Sequence, residues 1–220
     1  MKHFKRLTLI AVVIAVSAMA ASPPEGVPTD KDPAAYKGLS KEDIDRIWKN
    51  EVVILDHPET VQGRQMITAA LIFNQDIETV WNLMTQGWRQ EEYLPRLKNS
   101  ELVEKWDGGD KLRMHVEVLG VKINYQIIGT RDKSKYHSHW KLDPEFKNDM
   151  REVTGFWRFY WIDEKHTLAR YGTWVETGLW IPPKVQAYMT KQDLPDALGT
   201  QKKWVDSGGT YVKEGYKPDK

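Results

Sequence analysis

The sequence contains no cysteine among its 220 residues. This absence excludes disulfides, thiolate metal sites and lipid attachment at a signal-peptide cysteine, so the fold must be stable through its core alone. The formal net charge is only +1, and a chain with such balanced charge is not expected to bind nucleic acid. The G-x-S-x-G and H-E-x-x-H motifs and a phosphate-binding glycine loop are also missing. We therefore predict no catalytic residue, no metal and no cofactor.

Long apolar runs are scarce as well, and the clearest one spans residues 7–16. A basic start precedes it, and the small residues Ala18 and Ala20 follow it. This pattern is typical of a secretory signal peptide, residues 1–21, and the run is well short of the roughly 20 residues that a membrane span needs. We therefore predict cleavage after Ala20 or Ala21 and a soluble protein, periplasmic or secreted, that keeps no stable membrane anchor.

The rest of the chain divides into an arm, one domain and a tail. Residues 22–50 are predicted to be an N-terminal linker followed by a short helix. The linker, residues 22–37, is rich in proline and small residues and is expected to lack fixed structure. The helix has Ser40 as its N-cap. Residues 51–207 form the predicted domain, and the charged tail, residues 208–220, is expected to be frayed.

Residues 151–177 contain two aromatic-rich apolar runs on either side of the polar residues 163–166. This pattern predicts a long antiparallel hairpin. Helical spacing predicts a helix that Asn74 or Asp76 caps, and a second one over residues 184–205 with a kink or restart at Pro195. The order of elements indicates an α+β fold with helices on one face of an antiparallel sheet. Further strands are expected at residues 51–56, 64–73, 100–106, 111–119, 121–131 and 136–142.

Five short motifs occur in a characteristic order: IFNQDIETVWNLM at residues 72–84, EYLP at 92–95, GFWRF at 155–159, TLARY at 167–171 and IPP at 181–183. In this order they resemble the START-like, or SRPBCC, helix-grip superfamily, which includes the polyketide cyclase/dehydrase and coenzyme Q-binding families. The resemblance covers most of the chain after the signal peptide. It implies a curved antiparallel sheet wrapped around a long C-terminal α-helix, with a deep cavity between them that binds lipids, sterols, quinones or polyketides.

Side-chain alternation along the strands predicts which residues would line such a cavity. The ligand would be an apolar small molecule, bound or carried without being transformed. The predicted wall consists of Leu112, Met114, Ile123, Tyr125, Trp140, Trp157, Phe159, Tyr171 and Thr173 from the sheet, Met189 and Leu198 from the helix, and Tyr93 and Leu97 near the entrance.

Two alternatives stay open at this point. A cyclase or dehydratase acting on an aromatic or polyketide-like substrate would need a buried acid or base, and no ionisable residue falls on the predicted inner strand faces. An interaction module with a collapsed pocket and a protein partner in the cell envelope would arise if aromatic rings filled the cavity. The rings able to do so are Trp140, Trp157, Phe159 and Tyr171.

His137 and His139 lie two residues apart on one predicted strand face. Such a pair would suit a metal if a third ligand converged on it, but the sequence offers no third ligand at a recognisable spacing. We therefore expect both imidazoles on the polar outer face of the sheet.

Overall fold

The computed structural model describes residues 22–55, 59–61, 63–178, 180, 183–188 and 192–217. Its helices are α1 (Lys41–Trp48), α2 (Ile77–Met84), α3 (Gln90–Tyr93), α4 (Pro183–Tyr188) and α5 (Leu194–Asp206), with short 3-10 turns at Gly87–Arg89 and Lys133–Lys135. Its strands are β1 (Val53–Ile54), β2 (Glu59–Val61), β3 (Arg64–Phe73), β4 (Leu97–Trp106), β5 (Gly109–Val118), β6 (Val121–Asp132), β7 (His137–Leu142), β8 (Met150–Asp163) and β9 (His166–Thr177).

Eight of these strands form one antiparallel sheet in the order β1-β3-β9-β8-β7-β6-β5-β4, and β2 pairs separately with β3. The predicted hairpin is confirmed, because β8 and β9 pair from Met150 opposite Thr177 to Asp163 opposite His166. From β4 to β9, strands that are adjacent in the sheet are also consecutive in the sequence. The pairing of β3 with β9 instead joins two strands that are far apart in the sequence. The sheet and its helices together make the predicted α+β architecture.

Capping side chains define where the first two long helices begin. The Ser40 hydroxyl accepts from the Asp43 amide at 3.1 Å, and the Asp43 carboxylate accepts from the Ser40 amide at 3.0 Å, which is the predicted capping box. The Asp76 carboxylate accepts from the amides of Glu78 and Thr79 at the start of α2. The sequence pattern at both helix starts is therefore confirmed.

The inner face of the sheet packs against α2, α3 and α5. Alternate residues of β3 and β8 point to this side, as strand geometry requires. They form one buried cluster with the apolar faces of the helices. Its fully buried members include Leu71, Phe73, Val80, Phe159, Trp204 and Val205.

The N-terminal arm covers the outer face of the sheet, so the expectation that residues 22–37 lack fixed structure is wrong. The Arg170 side chain on β9 donates hydrogen bonds to the main-chain oxygens of Ala35 at 2.9 Å and Lys37 at 2.8 Å. Ala35 is fully buried in a cluster with residues of β1, β3, β8 and β9. The physical reason is that the outer faces of these strands are apolar and need a cover.

The C-terminal part also differs from expectation. A single helix was predicted over residues 184–205, and the described residues contain two helical segments, α4 and α5, while residues 189–191 lie outside them. Pro195 stands in the first turn of α5, where a proline is tolerated. The predicted kink or restart stays a prediction, because the residues that join α4 to α5 lie outside the described part of the chain. The tail is ordered at least through Lys213, whose ammonium donates to the main-chain oxygens of Leu94 and Leu97 at 2.8 and 2.6 Å.

Several predicted features fall on residues that the structure does not describe. These are the signal peptide at residues 1–21, the first two residues of the IPP motif, and Met189. Across the described residues, we find no helix that combines the length and the apolar character needed to span a membrane.

Candidate functional site

A cavity of about 600 Å³ lies between the inner face of the sheet and helix α5. Its size falls within the range of roughly 300 to 1,000 Å³ that is typical of small-molecule sites. Helix α5 contributes Leu194, Ala197, Leu198 and Gln201. Their spacing along the sequence places them on one face of the helix. Most of the remaining wall comes from strands β3 and β5 to β9.

Most of the residues predicted for the wall are placed on it. These are Leu112, Met114, Tyr125, Trp140, Trp157, Tyr171, Thr173 and Leu198. Strand alternation brings them together, because the strands that carry them pair in register. Whether these side chains contact a ligand stays a prediction.

Four predicted wall residues lie elsewhere. Tyr93 stacks on Trp204 with ring centroids 4.5 Å apart, so its ring is enclosed between α3 and α5 rather than facing the cavity. Phe159 is buried in the core cluster below α2. Leu97 and Ile123 are buried in a second cluster, which also contains the wall residues Leu112 and Met114, but neither of them borders the open space. In each case neighbouring side chains cover the residue before it can reach the open space.

Two glycines inside strands create room at the wall. A Cβ atom at Gly155 would lie 2.2 Å from the Trp140 ring, so this ring rests directly on the main chain of β8. A Cβ atom at Gly129 would lie 2.7 Å from the Asp110 carboxylate. A glycine inside a strand often marks such a close approach, and this signal was present in the sequence.

A buried ion pair on the wall overturns the expectation that the inner strand faces carry no ionisable residue. Asp110 is only 1% exposed, and its carboxylate contacts the guanidinium of Arg131. Both residues border the cavity. Burial raises the pKa of the Asp110 carboxyl above its usual value, while Arg131 acts in the opposite direction. Asp110 was missed because β5 begins at Gly109, two residues earlier than expected, which places Asp110 on the same face as Leu112. Arg131 lies within the predicted strand on the same face as Tyr125, so alternation already placed it on the inner face and the expectation overlooked it.

Other polar groups are spread over an otherwise apolar wall. Burial raises the pKa of Tyr125 and of Tyr171 to about 12, so both phenols are neutral near pH 7 and can donate or accept a hydrogen bond. The Thr173 hydroxyl donates to the main-chain oxygen of Thr154 at 3.3 Å. Side-chain amides are contributed by Gln65, Gln90 and Gln201.

One end of the cavity is bordered by the start of α5 and the end of β9. Asp193 accepts from Arg96 at 3.0 Å, and Arg96 also contacts the Tyr188 hydroxyl, so this ion pair joins α4 and α5 to the loop before β4. Trp174 also borders the cavity, although strand alternation predicts its ring on the outer face.

The imidazoles of the predicted histidine pair contact outer-face residues of the sheet, although His139 also borders the cavity. His137 packs edge-on against Phe156, with ring centroids 6.2 Å apart, and the His139 imidazole hydrogen bonds to Thr130. The part of the chain that the structure describes holds no group of three or more histidine, aspartate or glutamate side chains arranged for a metal ion.

An antiparallel sheet that packs against a C-terminal helix around a cavity defines the START-like, or SRPBCC, fold, and solved structures agree. A START superfamily protein from Mycobacterium smegmatis superposes with a TM-score of 0.54 at 14% identity, over 64% of this chain and 97% of its own. A fragment of a STAR-related lipid transfer protein from Xanthomonas axonopodis gives 0.55 at 15% identity, over 68% and 89%. The Zhui aromatase/cyclase from Streptomyces sp. R1128 gives 0.51 at 14% identity, over 63% and 93%.

No protein-family model and no curated protein matches the sequence. At these identities the structural likeness establishes the fold, and function has to be argued from the cavity itself.

Proposed function

We propose that the protein is exported and carries an apolar or amphipathic small molecule in the cavity between the sheet and α5. The observation that carries this proposal is the cavity of about 600 Å³ with a largely apolar, aromatic wall and a few polar groups. Such a wall provides hydrophobic driving force together with a small number of orienting contacts. The signal-like N-terminus supports export to a periplasm or to the medium.

The ion pair at the wall suggests a ligand with one polar end. The Arg131 guanidinium has five N–H donors, and the hydrogen bond to Asp110 uses only some of them. The Asp110 carboxylate can accept a further hydrogen bond. A hydroxyl can donate to Asp110 and accept from Arg131, and a carbonyl can accept from Arg131. We therefore favour lipids, sterols, quinones or polyketide-like molecules that carry one of these groups over pure hydrocarbons.

An empty cavity of this size would be costly. At about 24 cal/mol per Å³, a dry cavity of about 600 Å³ would cost on the order of 14 kcal/mol, which is comparable to the whole stability of a domain. Hydration of the polar groups lowers this cost, and a ligand lowers it further. The open volume also weighs against the interaction module with a collapsed pocket.

Native mass spectrometry of the protein purified from its own host tests the proposal. We expect a bound apolar molecule that is lost on denaturation and recovered by solvent extraction. The variant Ala197→Phe places a ring in the cavity from α5, so it should lose the bound molecule while remaining folded. Asp196→Phe adds the same ring at the neighbouring exposed position and should keep it.

Equal occupancy in the two variants would contradict binding at this site. Protein that is free of ligand and also fails to take up lipids, sterols and quinones in vitro would contradict the carrier function. The intact mass from the same experiment tests export, because cleavage after Ala20 or Ala21 defines the mature N-terminus.

A second candidate, an acid–base enzyme of the cyclase or dehydratase type, is favoured by one observation. Asp110 is a buried carboxyl with a raised pKa at the cavity wall, and such groups serve as general acids or bases. The extracted molecule should be incubated with the wild type and with Asp110→Asn and then followed by mass spectrometry. A product that forms only with the wild type would establish an enzyme, whereas an unchanged molecule supports carriage.

A further inference from the structure

A second concavity, of about 570 Å³, lies on the surface between α2, the turn after it and the tip of the β4–β5 hairpin. We call it the indole groove. It is lined by three tryptophans and three cations, Trp81, Trp88, Trp106, Lys105, Arg131 and Lys133. Of these six residues only Arg131 also borders the internal cavity, so the groove is a separate site.

The charges of the indole groove favour an anion. The Lys105 ammonium lies 4.6 Å from the centroid of the Trp88 ring. Its charge acts on the carboxylate of Asp110, its cross-strand neighbour, but within the described part of the chain no ion pair includes it. Lys133 lies 5.3 Å from the Trp81 centroid and pairs with Glu78. Among the described residues of the groove wall, Asp107 is the one acidic side chain. A cation held on an indole face keeps its other N–H donors free for a ligand.

The aromatic side chains of the groove are held in place before any ligand arrives. Trp106 is 37% exposed, and its ring folds over Gly109 so closely that a Cβ atom there would lie 2.4 Å from the indole. The Trp88 ring is fixed from one side by Lys105. Trp106 therefore offers an exposed, immobilised flat surface for stacking with another ring.

We propose that the indole groove binds a small aromatic anion, with its ring on Trp106 and its acid group on Lys105. This site requires a negative charge, whereas the internal cavity with its apolar wall favours neutral or amphipathic molecules. The proposal does not depend on what the internal cavity carries.

Fluorine NMR of protein labelled with 5-fluorotryptophan separates the two sites. Signals are assigned with single Trp→Phe variants, so that Trp88 and Trp106 report on the groove and Trp140 and Trp157 on the cavity. The probes are 2-naphthoate and the neutral 2-naphthalenemethanol. We expect naphthoate to shift the Trp88 and Trp106 signals saturably, and the alcohol to leave them unchanged at the same concentration.

Charge variants identify the cations involved. Lys105→Gln should weaken naphthoate binding by about 10-fold, because a hydrogen bond between charged groups contributes about 1.5 to 3 kcal/mol and each 1.4 kcal/mol is a factor of ten. Lys165→Gln, at the exposed turn between β8 and β9, should bind as the wild type does. The unfolding midpoint of each variant checks that it is folded.

Three results would overturn the proposal. The first is an equal response of the groove signals to the neutral alcohol. The second is a response to naphthoate that is confined to Trp140 and Trp157. The third is naphthoate binding that Lys105→Gln leaves unchanged.

Discussion

Glycine residues within the strands determine where the rings of the cavity wall can lie. At Gly155, a Cβ atom would come within 2.2 Å of the Trp140 ring and 2.7 Å of the main-chain oxygen of Gly172. The main chain cannot move aside without disturbing strand pairing, so we expect Gly155→Ala to destabilise the protein by about 1 to 3 kcal/mol. Urea unfolding measures this change.

A glycine elsewhere provides the matched control. Gly199 lies inside α5, and a Cβ atom there would meet nothing within 4 Å. Gly199→Ala should therefore stabilise the protein by about 0.5 to 1 kcal/mol. If both variants changed the unfolding free energy in the same direction, the close contact at Gly155 would not be the cause.

His137 makes the stability depend on pH. Its pKa is lowered to about 4, first by burial and then by the nearby charges of Arg158 and His139. The folded protein therefore disfavours the charged imidazole, so stability is full above the ordinary pKa of about 6.5 and falls as the pH drops from there towards 4. Burial lowers the pKa of His139 in the same direction.

The test compares the unfolding free energy at pH 7 and pH 5 in the wild type and in His137→Phe, which keeps the ring but cannot titrate. We expect a smaller loss of stability at pH 5 in the variant. Asp132 acts to raise this pKa and Lys135 to lower it, so their exposed charges should be kept unchanged. An identical loss in both proteins would mean that His137 does not carry the effect.

Single residues also show how far the sequence predicts the site. Alternation correctly placed Leu112 and Met114 on the cavity wall, because period-two patterning directly reflects strand geometry. It missed Asp110, since the strand start was set two residues too late. It also included Tyr93, because alternation and helical spacing say nothing about which neighbour covers a ring. The glycine at position 129 was the available clue to the buried carboxylate.

Among the elements, α5 is anchored to the sheet by a buried lysine. Lys202 is 6% exposed, and its ammonium donates to the main-chain oxygen of Ile72 and to the Asp206 carboxylate, both at 2.6 Å. Asp206 in turn accepts from the Asn74 amide at 2.8 Å. These contacts fix the end of β3 against the end of α5, and thereby the helix that forms one side of the cavity.

Lys202→Met removes the ammonium but keeps much of the side-chain volume. We expect it to destabilise the protein by about 1 to 3 kcal/mol, because it leaves the Ile72 oxygen without its donor and Asp206 without its cation. Lys203→Met, at an exposed position of the same helix, should change stability by less than about 0.5 kcal/mol. Equal unfolding midpoints for the two variants would contradict an anchoring role for Lys202.

Over the whole molecule, the sequence predicted the order of strands and helices, but it did not predict that the N-terminal arm and the C-terminal tail pack against the domain. Strands and long helices have periodic patterns, whereas the arm is held by main-chain oxygens, which any sequence supplies. Its buried apolar anchor, Ala35, is a small residue of the kind that also occurs in linkers. The tail is likewise held through Lys213 and main-chain oxygens.

The arm depends on Arg170, which extends from β9 to the oxygens of Ala35 and Lys37. We expect Arg170→Met to lower the unfolding free energy by about 2 to 3 kcal/mol, because hydrogen bonds from a charged donor are among the stronger ones. The amide hydrogens of the arm should also exchange faster in this variant. Hydrogen–deuterium exchange mass spectrometry of the peptide around Ala35 measures this rate. Arg151→Met removes a charge from an exposed pair on the neighbouring strand, and such pairs contribute little. Exchange of the arm at the same rate in both variants would mean that apolar packing alone holds it against the outer face of the sheet.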